Sequence, residues 1–171
     1  TRSPGLKAFG DDSVLSAGRI PTHSVGPGSG LGAWTLALDI GTTTLAAALV
    51  NLETGKVGAA DTALNPQAGV GPDVMSRILY AARGSAAREA LTGAVRRAIA
   101  GLVEGLCREI AVPPSSVVGA AVAGNPTMLH LWRGIDPASL GQAPYLGQWV
   151  EAVTCTPGEV DLPVWGGGEV Y

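Results

Sequence analysis

A mixed α/β fold is predicted by three features of this 171-residue chain. Short apolar segments rich in Ala, Val and Leu follow one another between residues 34 and 63, broken by turns that contain glycine. Two segments with apolar residues three and four positions apart come next. A further Val/Ala run at residues 117–123 follows them. Strand-like runs, then helical periodicity, then another strand specify a sheet with helices laid on it.

The elements can be justified in order. Residues 1–32 lack strand or helix periodicity, and Ser24-Val25-Gly26-Pro27-Gly28-Ser29-Gly30 has the chemistry of a linker. They read as a connector from an upstream domain, with room for a short strand near Ser13 to Leu15, and residues 33–171 read as the folded unit. Trp34 to Ile40 reads as a buried strand, and Leu45 to Leu52 as a second. Glu53-Thr54-Gly55-Lys56 is turn chemistry in which Gly55 supplies a positive φ. Val57 to Ala63 completes a three-strand antiparallel meander. Pro72 to Ala82 reads as a helix with Val74, Ile78 and Leu79 on its apolar side. Ala86 to Ala111 reads as a longer one, with Leu91, Val95, Ile99, Leu102, Leu106 and Ile110 inward and Arg88, Arg96, Glu104, Arg108 and Glu109 elsewhere. Pro113-Pro114 ends it. Val117 to Ala123 reads as a strand covered on both faces. Pro126 begins a short helix to about Trp132, a position where proline fits, and Asp136-Pro137 opens one more turn. This order is that of a ribonuclease-H-like unit.

Composition excludes several function classes. The net charge is −3 and the pI is about 5.3, so the chain lacks the basic field of a nucleic-acid or membrane-surface binder. Arg96-Arg97 reads as part of a solvated helix face. Residues 34–50 are the most apolar stretch, but Asp39 and the threonines interrupt it, and it is too short to span a bilayer. The chain's two cysteines, Cys107 and Cys155, are too few for a zinc site or an iron–sulfur cluster. Their isolation fits a reducing cytoplasm. Cys107 and His130 read as packed helix residues.

The segment Asp39-Ile40-Gly41-Thr42-Thr43-Thr44 carries the chemistry. Asp39 stands at a strand end where an apolar residue is expected, and a carboxylate there must be hydrated, paired or metal-bound. Gly41 allows a tight turn and close approach of a ligand. Backbone N–H groups of such a turn, joined by threonine hydroxyls, can converge on an anion. These features suit nucleotide phosphates, with Asp39 as the catalytic carboxylate that holds Mg²⁺. A plain hairpin whose threonines favour strand conformation is the structural alternative. The segment is neither a Walker loop nor a Rossmann turn.

Asp39 to Thr44 resembles the first phosphate motif of the acetate and sugar kinase, heat-shock chaperone and actin superfamily. Two more segments narrow the match. They are Ala63-Leu64-Asn65-Pro66-Gln67 with Gly71-Pro72-Asp73-Val74-Met75-Ser76-Arg77-Ile78, and Gly124-Asn125-Pro126-Thr127-Met128-Leu129-His130-Leu131 with Gly134-Ile135-Asp136-Pro137. Over residues 34–145 the chain resembles the ATPase domain of the reductive activators of corrinoid proteins. The resemblance implies the first half of an actin-like ATPase domain. It also implies an ATP- and Mg²⁺-dependent parent protein that returns cob(II)alamin to cob(I) in a corrinoid partner, with a [2Fe–2S] centre in an upstream ferredoxin domain. The second phosphate motif and adenosine loop are expected beyond residue 171; Gly166-Gly167-Gly168 lacks their pattern. Gly41, Thr42, Thr43 and Thr44 are the implied phosphate contacts, with Gly124, Asn125 and Thr127 at the neighbouring strand end. Asn125 also reads as a helix N-cap. Asn65, Asp73 and Arg77 read either as cleft or partner-facing residues or as local turn and cap chemistry.

Two other functions compete with this reading. A small-molecule kinase on the same scaffold would use Asp73 as its carboxylate. A non-catalytic half-domain would act as a docking surface. Whatever its function, a ribonuclease-H-like half that exposes the face meant for its twin is expected to form a homodimer. The fragment alone is expected to be inactive.

Overall fold

The computed structural model describes residues 32–147, 154–164 and 169–170. The expected linker (apart from Gly32), the strand near Ser13 and the Gly166–Gly168 run lie outside them. Strands β1 (Trp34–Ile40), β2 (Thr44–Asn51) and β3 (Val57–Leu64) form the antiparallel meander. Helices α1 (Val74–Ala81) and α2 (Ser85–Glu109) follow, then β4 (Val117–Gly124), α3 (Pro126–Arg133) and a two-residue β5 (Glu169–Val170). The sheet order is β3-β2-β1-β4-β5, with β4 parallel to β1 and β5 parallel to β4. This is the mixed, ribonuclease-H-like arrangement that the sequence predicts. β5 had no sequence signal, because two residues are too few to show a period.

The helices cover one face of the sheet. Leu36, Leu38 and Ile40 of β1 and Leu45, Ala47 and Leu49 of β2 point into a core shared with Leu91, Val95, Ile99 and Leu106 of α2 and Met128 and Leu131 of α3. Residues on the opposite pleat, Ala37, Asp39, Ala60, Ala121 and Ala123, are exposed. This corrects the reading of β4 as a strand covered on both faces, and β1 is buried on one face only. Their apolar runs consist of alanine on the open side, where a small side chain costs little whether wet or dry.

Helix ends follow local chemistry. α2 stops before the prolines because Ala111 turns left-handed at φ 56° and the Val112 amide reaches back to the Cys107 carbonyl at 3.0 Å. α1 corrects a second expectation. Ile78 and Ala81 are buried as its apolar side, but the third fully buried residue is Arg77, while Leu79 is exposed. Arg96 corrects a third: it is not a solvated residue. Its Nε donates to the Trp132 carbonyl, Nη1 to Asp161 and Nη2 to the Glu159 carbonyl, each at 2.9 Å.

Candidate functional site

The turn between β1 and β2 lies at the end of β1 where β4 also ends, Ile40 standing beside Gly124 in the parallel pairing. Carboxyl ends of parallel strands are the usual ligand edge of open α/β sheets. Gly41 closes the turn by donating its N–H to the Thr44 carbonyl at 3.0 Å. A Cβ at position 41 would run into that same carbonyl oxygen, so only glycine fits. Gly124 plays a matching part, since a Cβ there would sit 3.0 Å from the Ile40 carbonyl.

Asp39 is exposed, one residue before the turn. Its register partners are Ala46 on β2 and Ala123 on β4, so methyl groups stand directly beside it in both neighbouring strands. Thr43 and Thr44 are exposed and Thr42 is half-buried. Asn125 caps α3 by accepting the Met128 amide at 3.0 Å, and its Nδ2 donates to Thr42 Oγ1 at 3.2 Å. The cap and the cleft readings of Asn125 thus describe one side chain with two tasks. Thr127 lies in the first turn of α3 and is buried; it is not brought to the turn's exposed side.

Behind the turn stands a buried polar cluster that the sequence did not assemble. Asn65 Nδ2 donates to the Gly41 carbonyl at 2.8 Å, and the Asn65 amide donates to the Thr43 carbonyl at 2.8 Å. Arg77 Nη2 donates to the Thr42 carbonyl. Arg77 Nε donates to the Gly71 carbonyl at 2.8 Å, and its Nη1 reaches Gln67 Oε1 at 3.3 Å and Met128 Sδ at 3.1 Å. Gln67 is in turn fixed to the Leu91 carbonyl at 3.1 Å. Burial lowers the pKa of Arg77, and Asp73 opposes that shift. Asn65 and Arg77 are therefore neither cleft-facing nor merely local. They hold the turn from inside. Sequence spacing could have placed Arg77 beside Ile78 on the inner face of α1, but not against Thr42.

Asp73 is exposed and caps α1, its carboxylate accepting the Ser76 amide at 2.8 Å while Ser76 Oγ accepts the Asp73 amide. The backbone and side-chain bonds to Ser76 hold its carboxyl below the ordinary carboxylate range. The kinase alternative relied on this carboxylate.

The implied ligands can be tested against these residues. Magnesium with phosphates uses one or two carboxylates plus water and phosphate oxygens, and an open aspartate beside a glycine turn fits that donor set. Among the described residues no group of three or more His, Cys, Asp or Glu gathers into a metal cage. An iron–sulfur cluster does not fit, since it needs more cysteines than Cys107 and Cys155 supply. Among the described residues no helix is long and apolar enough to cross a membrane.

Fold and site together define a ribonuclease-H-like half-domain with an aspartate and a glycine–threonine turn at the end of β1. Residues 34–171 match the family described as the RACo middle region, and the chain belongs to that family. It is 30% identical over 129 residues to the corrinoid activation enzyme RamQ of Eubacterium limosum, a match covering 75% of this chain and 22% of the relative. A solved structure of a reductive activator for corrinoid, iron–sulfur protein superposes with a TM-score of 0.81 at 36% identity, covering 84% of this chain and 23% of that one. The chain thus spans less than a quarter of the length of these relatives.

Proposed function

We propose that this chain is the phosphate-gripping half of the ATP-handling domain of a reductive activator, a protein that returns the cobalt of a corrinoid partner from cob(II) to cob(I). The observation that carries the reading is the open carboxylate of Asp39, flanked by Ala46 and Ala123, one residue ahead of the Gly41 turn. Membership of the RACo middle region family supports it, as do the names of the two relatives.

In this reading the amides and hydroxyls of Thr42, Thr43 and Thr44 bind the terminal phosphates, and Asp39 holds the hydrated magnesium ion. Asn125 fixes the Thr42 hydroxyl. Bound ATP supplies the free energy that offsets an unfavourable electron transfer to cobalt. The electron itself comes from an iron–sulfur centre outside this chain.

Titration calorimetry with Mg–ATP tests this, on the chain and on a protein of its relatives' length, each compared with its Asp39→Ala variant. Binding that Asp39→Ala abolishes is the expected result. Absence of binding in both lengths, or binding indifferent to Asp39→Ala, overturns the reading.

A further inference from the structure

Three consecutive carbonyl groups of the turn are all taken up from one side. Gly41 and Thr43 are held by Asn65, and Thr42 by Arg77. A trans peptide points its N–H opposite to its C=O. Capturing the carbonyls of residues 41, 42 and 43 therefore turns the amides of Thr42, Thr43 and Thr44 away from the clamp. Among the described residues, the Thr42 and Thr43 amides donate to no backbone carbonyl. A run of N–H groups facing the same way is an anion-binding concavity.

The clamp also carries a charge. Arg77 has no exposed surface, and it is held by the Gly71 and Thr42 carbonyls, the Gln67 amide oxygen and the Met128 sulfur. All of these are neutral. A guanidinium stays protonated in proteins, and burying it without a carboxylate is unfavourable. Its positive end lies behind the Thr42 carbonyl, and the N–H of the same peptide unit, on Thr43, points the other way. A cation on a carbonyl polarises the peptide and strengthens its N–H as a donor. An anion in front of the turn would complete a relay of opposite charges through one peptide plane.

We infer that Arg77 and Asn65 are positioning residues that preset the turn for a polyphosphate, Asn65 by orienting the peptides and Arg77 by orienting one of them and placing behind it a positive charge to which no carboxylate is hydrogen-bonded. This rests on reading the turn as the phosphate site. The clamp makes the loop's anion affinity depend on a side chain that no ligand touches.

The test is an NMR titration of the 171-residue chain with magnesium pyrophosphate, following the amide signals of Thr42, Thr43 and Thr44. A parallel titration with Mg–ATP tells whether the nucleoside adds anything to the shared phosphate chemistry. Arg77→Lys keeps the charge but cannot span the Thr42, Gly71 and Gln67 acceptors together. It should weaken pyrophosphate about tenfold and shrink the three amide shifts. Gln67→Glu covers the case in which Arg77 variants fail to fold. It keeps the acceptor for Arg77 Nη1 and neutralises the buried charge, giving up only the bond from Gln67 to the Leu91 carbonyl, and should weaken pyrophosphate about tenfold as well. If folded variants of both kinds bind as tightly as the wild type, the inference is overturned while the phosphate reading stands. If the wild type shows no shift at Thr42 to Thr44 with either ligand, in this chain and in a protein of its relatives' length, the phosphate reading fails and the inference with it.

Discussion

Asn125 Nδ2 donates to Thr42 Oγ1 over 3.2 Å, tying the start of α3 to the turn between β1 and β2. The same side chain caps α3, so substitution can separate the two tasks. Serine is also a good N-cap but is too short to reach Thr42. Asn125→Ser should keep stability close to the wild type, while Asn125→Ala should lose about 1 kcal/mol in urea denaturation. Both should weaken Mg–ATP binding to the same degree. Unchanged affinity in Asn125→Ser would show that the Thr42 hydroxyl needs no fixing.

Gly41→Ala meets a different obstacle. The new methyl collides with the Thr44 carbonyl, which already accepts the Gly41 amide. The hairpin must open or shift, at a cost of about 1–3 kcal/mol by analogy with overpacked sites. Because the turn and the core strands share residues, thermal denaturation should fall together with phosphate affinity. A variant with native stability and native affinity would contradict the tightness of this turn.

The contrast between Gly41 and Arg77 shows what the sequence could disclose. Gly41 announced itself, because a glycine between an aspartate at a strand end and three threonines has a short-range reason to be there. The meander was equally legible, since its turns are marked by Gly41 and Gly55, and β1 was placed at the residues observed. Arg77 was hidden. Its partners Thr42, Gly71, Gln67 and Met128 come from separate segments, and only the fold brings them together. Periodicity counted Leu79 as buried because it is apolar, although the inner face of α1 runs through Arg77, Ile78 and Ala81. The open face of the sheet was misjudged for a related reason: alanine does not report which side is wet. Asn125 was readable as a cap from Asn-Pro alone, whereas its bond to Thr42 needs β4 parallel to β1.

Arg96 provides a test of how the later part of the chain is anchored. It joins α2 to the end of α3 through the Trp132 carbonyl and to residues 159–161 through Asp161 and the Glu159 carbonyl. The Asp161 carboxylate is well exposed, so that ion pair adds little, and the two carbonyl bonds matter more. Arg96→Ala should lose about 1–3 kcal/mol. Arg96→Lys should recover only part of that, because an ammonium cannot serve three divergent acceptors. Limited proteolysis should show earlier cleavage near Pro157 to Val164 in both. Equal cleavage rates would mean that Val160 and Leu162, both buried, anchor the segment by themselves.

His130 sets a pH window for stability. It is fully buried in α3, with Nδ1 2.7 Å from the Pro126 carbonyl, an arrangement in which Nδ1 carries the proton and donates. Burial pushes its pKa below the ordinary value of 6.5; the Pro126 bond pulls upward and Arg133 pushes further down. The unfolded chain therefore takes up a proton at a pH where the native state does not. This contribution to stability is complete above about pH 6.5, and is lost as pH falls from there towards the native pKa, at up to about 1.4 kcal/mol per pH unit. Asp73 and Glu159 behave separately. Their carboxyls are held below the usual range by bonds from Ser76 and Thr156, so their contributions are lost only as pH falls below the ordinary carboxylate values of about 4. Urea denaturation between pH 4.5 and 8 isolates the histidine. His130→Asn retains an N–H near the position of Nδ1 but has no proton to gain, so its stability should be flat across the interval in which the wild type declines. A matching decline in the variant would assign the window to another group.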